Sequence, residues 1–276
     1  MTGEPRLVLA DDVTVIANGL HLARCVIEPT PAFESPRPYW HPLRTLHGAV
    51  VSDHRPPDHS WHWGLSLAVA NIRVNALDEE VNLWGGVTWV TGDGYRQLNN
   101  NGSERHDGWR TSAGGATEDL TWCTAGGQEF LAETRAHRLV AVRTGWALRV
   151  TSTWRNLTDD VIVFGSPTTA GRPNAGYGGF FLRGSEALRG ARVELDGSPI
   201  DADAAMGERG MAMSLLAPGG LRVTMRSLPG NPVEPTPWFV RTDPVVMLCA
   251  APFFHTQWTL SAGQQVTWVW ELQIED

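Results

Sequence analysis

Period-two alternation is the feature that most limits what this chain can fold into. Across residues 265–274, Val266, Trp268, Trp270, Leu272 and Ile274 fall on one face, and Gln265, Thr267, Glu271 and Gln273 on the other. Such alternation describes a strand with one buried and one wet face. Residues 146–154 repeat it, with Trp146, Leu148, Val150 and Trp154 inward and Arg149 and Thr151 outward. A turn at 156–160 then leads into 161–164, which reads as the return strand. Further strands are expected at 13–17, 21–27, 48–52, 65–70, 130–142, 191–195 and 221–227. Helical periodicity is nearly absent, and Gly, Pro, Asn and Asp clusters separate the strands. The expectation is an all-β chain, one large antiparallel β-sandwich domain over residues 1–276. Two polar stretches, 28–47 and 93–117, break the rhythm and read as loops.

The basic residues number 22 and all are arginine, so the chain has no lysine. Schiff-base, pyridoxal-phosphate and P-loop chemistry are thereby excluded. A net charge of −8 without a basic run argues against a nucleic-acid partner, while a free nucleoside remains compatible. Cys25, Cys123 and Cys249 are isolated and read as buried thiols. No apolar run approaches 18 residues and the N-terminus has no leader-like pattern, so no membrane partner and a cytoplasmic location are expected. The 13 tryptophans suit either core packing or stacking on sugars and bases.

Five of the nine histidines lie between His41 and His62. The segment reads Asp58-His59-Ser60-Trp61-His62, preceded by Arg55-Pro56-Pro57, whose prolines preclude a helix there. Histidine beside a carboxylate in a rigid loop suits proton transfer, and His-x-x-His with a distant Glu also suits a divalent metal. Glu133, on a strand face shared with Leu131 and Arg135, is the expected partner, as base or ligand. His106 beside Trp109 is a candidate for a polar wall. In the Gly-rich run 168–183, Arg172 and Arg183 are candidates to fork onto hydroxyls or a carboxylate, and Tyr177 to stack against a ligand.

Five motifs carry a family resemblance: Arg37-Pro38-Tyr39-x-His41-Pro42, Arg55-Pro56-x-Asp58-His59-x-x-His62-x-Gly64, Trp84-Gly85-Gly86, Glu133-x-Arg135 and Gly171-Arg172. In these the chain resembles the soluble PmoA-like family, from about Arg37 to its end, departing from that pattern at His47 and His54. The resemblance implies a galactose-mutarotase-like sandwich and a role in sugar metabolism, with His and carboxylates moving protons on a sugar.

The first expectation is therefore a lyase, dehydratase or epimerase acting on a sugar or sugar-nucleoside. His59, His62, Asp58, Glu133 and His41 would carry the chemistry, and Arg37, Arg55, Trp61, His106, Arg172 and Tyr177 would hold the substrate. The alternatives are a metal-dependent oxygenase or hydrolase with His59, His62 and Glu133 as ligands, and a non-catalytic carbohydrate-binding domain. Substrate identity, cofactor and oligomeric state are not encoded in any motif.

Overall fold

Two nine-stranded sheets, antiparallel throughout, face each other in the computed structural model, which describes residues 4–10, 12–28, 30–112 and 114–276. The first sheet runs Arg6–Leu9, Val13–Ala17, Leu20–Val26, Tyr39–Leu43, Leu65–Ala68, Gly179–Gly184, Val246–Ala250, Thr236–Arg241 and Arg209–Gly210. The second runs Ser103–Ser112, Gly115–Cys123, Glu129–Val140, Trp146–Asn156, Gln265–Glu275, Arg222–Ser227, Ala212–Leu216, Arg192–Leu195 and Ser198–Ile200. A four-stranded sheet (Trp258–Leu260, Ile162–Gly165, Asn71–Val74, Glu79–Val81) and a hairpin of Thr88–Val90 with Gly94–Arg96 complete the sheets. The large antiparallel β-sandwich is thus present. No helix among the described residues is long and apolar enough to cross a membrane.

Tryptophan fills the space between the sheets. Trp122, Trp146, Trp154, Trp238, Trp268 and Trp270 are fully buried, and Phe180 of the first sheet stacks on Trp270 of the second at 5.4 Å. With Trp40, also buried in that core, seven of the 13 tryptophans are core packing, a role that flat, large side chains fill well.

The alternation along Gln265–Glu275 holds for its apolar face: Trp268, Trp270, Leu272 and Ile274 are buried and Val266 is half-buried. Glu271 departs from it, because it too is buried, with Arg149 at 2.8 Å and Arg226 at 3.6 Å. The two arginines cover the carboxylate from neighbouring strands, so the outer face is charged but not open there.

Four expected elements differ, the first being 28–47, which is not all loop because Tyr39–Leu43 is a strand of the first sheet. Ile162–Gly165 is not the return partner of Trp146–Asn156; it pairs with Asn71–Val74 and Trp258–Leu260 in the smaller sheet. Residues 48–52 form isolated bridges only, at Val50 and Ser52. The stretch 93–117 is largely strand, because Ser103–Ser112 pairs with Gly115–Cys123 despite its polar sequence. That strand forms one edge of the second sheet, with Arg105, Asp107 and Arg110 exposed on one side and Glu104 buried against Arg135 on the other.

Candidate functional site

The loop from Asp53 to Gly64 is closed on itself before any side chain acts. Arg55 N–H donates to His62 O at 2.9 Å and Gly64 N–H to Asp53 O at 2.8 Å, while His62 N–H donates to His59 O at 3.0 Å. The loop is then tied to Gly179–Gly184, with Asp53 N–H donating to Arg183 O and Arg183 N–H to Gly64 O. Pro56 and Pro57 restrict the intervening backbone, so the histidines are presented from a rigid turn.

Arg183 organises the side chains. Its guanidinium donates to His62 Nδ1 at 3.1 Å and reaches Asp58 Oδ1 at 3.4 Å and Asp53 Oδ2 at 3.8 Å. A guanidinium can only donate, so His62 Nδ1 accepts and the ring carries its proton on Nε2. Burial, reinforced by His59 and Arg183, holds His62 well below the usual histidine pKa, and it is neutral. Asp58 Oδ2 meets His59 Nδ1 at 2.7 Å, which leaves Nε2 of His59 as its working nitrogen. Burial raises the Asp58 pKa, but the His59 hydrogen bond and Arg183 outweigh it and hold the carboxylate below its ordinary value. The two imidazoles stack at 4.7 Å and 16°.

Asp58, His59 and His62 line a cavity of about 480 Å³ with Trp61, Trp84, Val87, Tyr95, Arg172, Tyr177, Phe239, Arg241 and Met247. It opens on the outer face of the first sheet, since Phe239 and Met247 alternate with core residues Trp238, Val240, Val246 and Leu248. Tyr95 and Tyr177 share a hydrogen bond at 2.8 Å, and Arg172 donates to Tyr95 while lying over its ring at 4.7 Å. Trp84 packs against Tyr177 at 4.5 Å, and Asn82 Oδ1 accepts from Trp84 N–H and Gly85 N–H to hold the turn. Gly86, at φ +64°, lies so close beneath Trp61 that a Cβ would sit 2.5 Å from the indole. The Trp84-Gly85-Gly86 motif is therefore the seat of the Trp61 wall.

Asp58, His59, Trp61, His62, Arg172 and Tyr177 thus share one cavity. Glu133 does not join them, and its expected place in the site is corrected. It points between the sheets, 2 % exposed, and accepts from Arg135 (2.6 and 2.8 Å), Ser152 (2.6 Å) and Trp122 (2.8 Å). The strand alternation correctly grouped Glu133 with Leu131 and Arg135, but that face is the interior one. The trio His59, His62 and Glu133 is consequently not assembled as a metal site.

His41 also lies outside the cavity wall. It meets Ser52 Oγ at 2.9 Å and stacks on His54, and burial with His54 pushes its pKa down to about 4. Arg37 is buried and donates to Trp61 O at 2.7 Å, Glu34 O at 3.1 Å and Ser35 O at 2.9 Å, so it braces the loop rather than facing a ligand. Arg55 pairs with the buried Glu34 at 2.6 Å. His106 belongs to the second sheet, where it meets Glu118 at 2.8 Å. The only described group of three metal-type donors is Cys25, Glu118 and His137, also between the sheets.

Arg183, expected to fork onto a ligand, instead organises His62, Asp58 and Asp53, and Tyr95, Phe239 and Arg241 are wall residues that sequence reasoning did not single out. Arg183 was visible in the Gly-rich run, whereas Tyr95 and Arg241 carry no local signal. They reach the cavity only because distant strands converge there.

A family model described as a family of unknown function, DUF6807, matches residues 12–276. No curated protein matches the chain. Among solved structures, a galactose mutarotase related enzyme from Lactobacillus acidophilus aligns at TM-score 0.42 and 11% identity, over 99% of this chain and 98% of that one. A galactose mutarotase-like protein from Lactobacillus casei ATCC 334 aligns at 0.43 and 10%, over 99% and 100%. The galactosidase domain of an alpha-galactosidase-sucrose kinase aligns at 0.46 and 10%, over 98% and 41%. At such values nothing about activity passes from them to this chain. The galactose-mutarotase-like part of the expected resemblance recurs among these structures; the PmoA-like name does not.

Proposed function

The chain belongs to the DUF6807 family, and within that frame of unknown function we propose that it is an enzyme moving protons on a sugar or sugar-nucleoside, as a lyase or epimerase. The observation that carries this reading is the Asp58–His59 pair stacked on a neutral His62 inside an aromatic cavity. Asp58 fixes the His59 tautomer and stabilises the imidazolium formed when Nε2 takes a proton. His62, with Nδ1 held by Arg183, presents Nε2–H as a donor of a neutral ring, able to polarise an oxygen without surrendering a full charge. Trp61, Trp84 and Tyr177 supply faces for a sugar ring, and about 480 Å³ suits a monosaccharide-sized ligand.

The test is exchange of carbon-bound hydrogen. A panel of sugars, sugar acids and nucleosides incubated in D2O is followed by proton NMR for loss of a C–H signal. Wild type should exchange or convert one member, and His59→Ala should abolish this while retaining binding. Binding without exchange or conversion across the panel would support the second reading, a non-catalytic carbohydrate-binding domain, which the aromatic walls favour. The metal-dependent oxygenase or hydrolase reading loses its expected ligands, because Glu133 is committed to Arg135 and His62 Nδ1 to a guanidinium.

A further inference from the structure

The cavity holds more positive charge than its own residues neutralise. Asp58 is its only lining carboxylate, and Arg183 stands behind it at 3.4 Å. Arg172 and Arg241 also line the wall, and among the described residues neither has a carboxylate partner within 4 Å. Arg172 is held over Trp89 and Tyr95, at 5.8 and 4.7 Å, and donates to the Tyr95 hydroxyl. Arg241 lies over Phe239 at 5.7 Å, on the outer side of Thr236–Arg241. With His62 neutral, the lining sets two guanidiniums against the single carboxylate of Asp58, an excess of one positive charge in the cavity of a chain whose net charge is −8. Among the described residues 12 of the 22 arginines pair with an acid within 4 Å, as in Arg105 with Asp107 and Glu129, or Arg189 with Glu186 and Asp243; of the remainder, Arg172 and Arg241 are the two that line this cavity. Two unmatched guanidiniums braced on aromatic faces are donors kept for something that arrives from solution.

Chemistry points the same way. A histidine cannot remove hydrogen from an ordinary sugar carbon, because the carbanion left behind has nowhere to place its electron pair. A carboxylate on the adjacent carbon supplies that place, provided cations neutralise the second charge that develops on it. We propose that the ligand is a sugar acid whose carboxylate is clamped by Arg172 and Arg241. This rests on the reading of the cavity as a sugar site and names the class of sugar. The C–H bond next to the carboxylate breaks, the proton goes to Nε2 of His59, and the electron pair enters the carboxylate between the two guanidiniums. The pair then either takes a proton from water on the opposite face, inverting the carbon while His59 releases its proton to solvent, or expels the oxygen substituent one carbon further on, which departs with the proton returned from Nε2 of His59 and leaves a double bond.

Calorimetric titration of D-glucuronate, D-glucose and D-glucose 6-phosphate tests the assignment, with wild type, Arg241→Gln, Arg172→Gln and His59→Ala. The expected result is glucuronate at least about tenfold tighter than glucose, as for a charge-assisted pair worth 1.4 kcal/mol or more. Either Arg→Gln change should erase that preference while glucose affinity stays within about twofold, and His59→Ala should leave the preference intact. Equal affinity for glucuronate and glucose would overturn the sugar-acid assignment and leave the sugar site standing. Binding of none of the three would remove both readings. A preference that survives both Arg→Gln changes, or tighter binding of the phosphate, would overturn the clamp as described. Circular dichroism of each variant confirms that its fold is retained.

Discussion

Replacing Glu133 separates a structural carboxylate from a catalytic one. Its two oxygens accept four hydrogen bonds, two from Arg135 and one each from Ser152 and Trp122, in a space closed to water. In Glu133→Ala, the Trp122 N–H and Ser152 hydroxyl lose a buried acceptor, at roughly 1–3 kcal/mol for each group left unsatisfied. Arg135 loses one of its two carboxylates but keeps Glu104 at 2.8 Å, so its charge is not stranded. Breaking a buried ion pair outright costs about 3–5 kcal/mol, and retention of Glu104 puts the expected total near the lower end, about 3 kcal/mol. Glu133→Gln keeps the shape and one acceptor oxygen, so its cost should be about half as large. Urea denaturation followed by tryptophan fluorescence measures both. A loss below about 1 kcal/mol for Glu133→Ala, together with loss of ligand binding, would refute the assignment of Glu133 to the core.

Trp270→Ala removes a ring stacked on both Phe180 and Trp268, and should cost about 3–5 kcal/mol by the same assay. Gly86→Ala places a methyl against the Trp61 indole at a positive φ, and should weaken ligand binding about tenfold or more while costing stability about 1–2 kcal/mol; unchanged affinity would mean that Trp61 is not part of the binding wall. Stability should fall as pH drops from about 7 toward 5, because His41, His54, His62 and His137 all have depressed folded-state values. The sign follows from linkage, since below the unfolded histidine pKa near 6.5 the unfolded chain binds protons that the folded chain refuses. Thermal melts that are flat or rising over that interval would contradict it.

The apolar faces of Gln265–Glu275 and Trp146–Asn156 were legible because each strand has one face toward the core and one toward solvent or charge. Gly179–Gly184 and Val246–Ala250 were not, since every residue in them is buried. Strands covered on both sides lose their alternation, and here the cavity lining supplies the second cover. Asp58, His59 and His62 were legible as a local cluster, because a single loop presents them. Glu133 was misassigned because alternation fixes which residues share a face but not which way that face looks. Arg241 and Tyr95 belong to the cavity only through strand order, which no local pattern states.

The Thr88–Arg96 segment joins neither large sheet. Side chains fasten it to the rest: Trp89 Nε1–H and the Thr91 hydroxyl both donate to Ala170 O, and Tyr95 reaches Tyr177. His59, His62 and Arg183, by contrast, are set by backbone bonds to the Gly179–Gly184 strand. The proton-handling groups are thus bolted to the frame, whereas Tyr95, and through it Arg172, hangs from a detachable arm. An engineer wishing to change what the cavity accepts has a natural cassette in that hairpin, exchangeable without reopening either sheet.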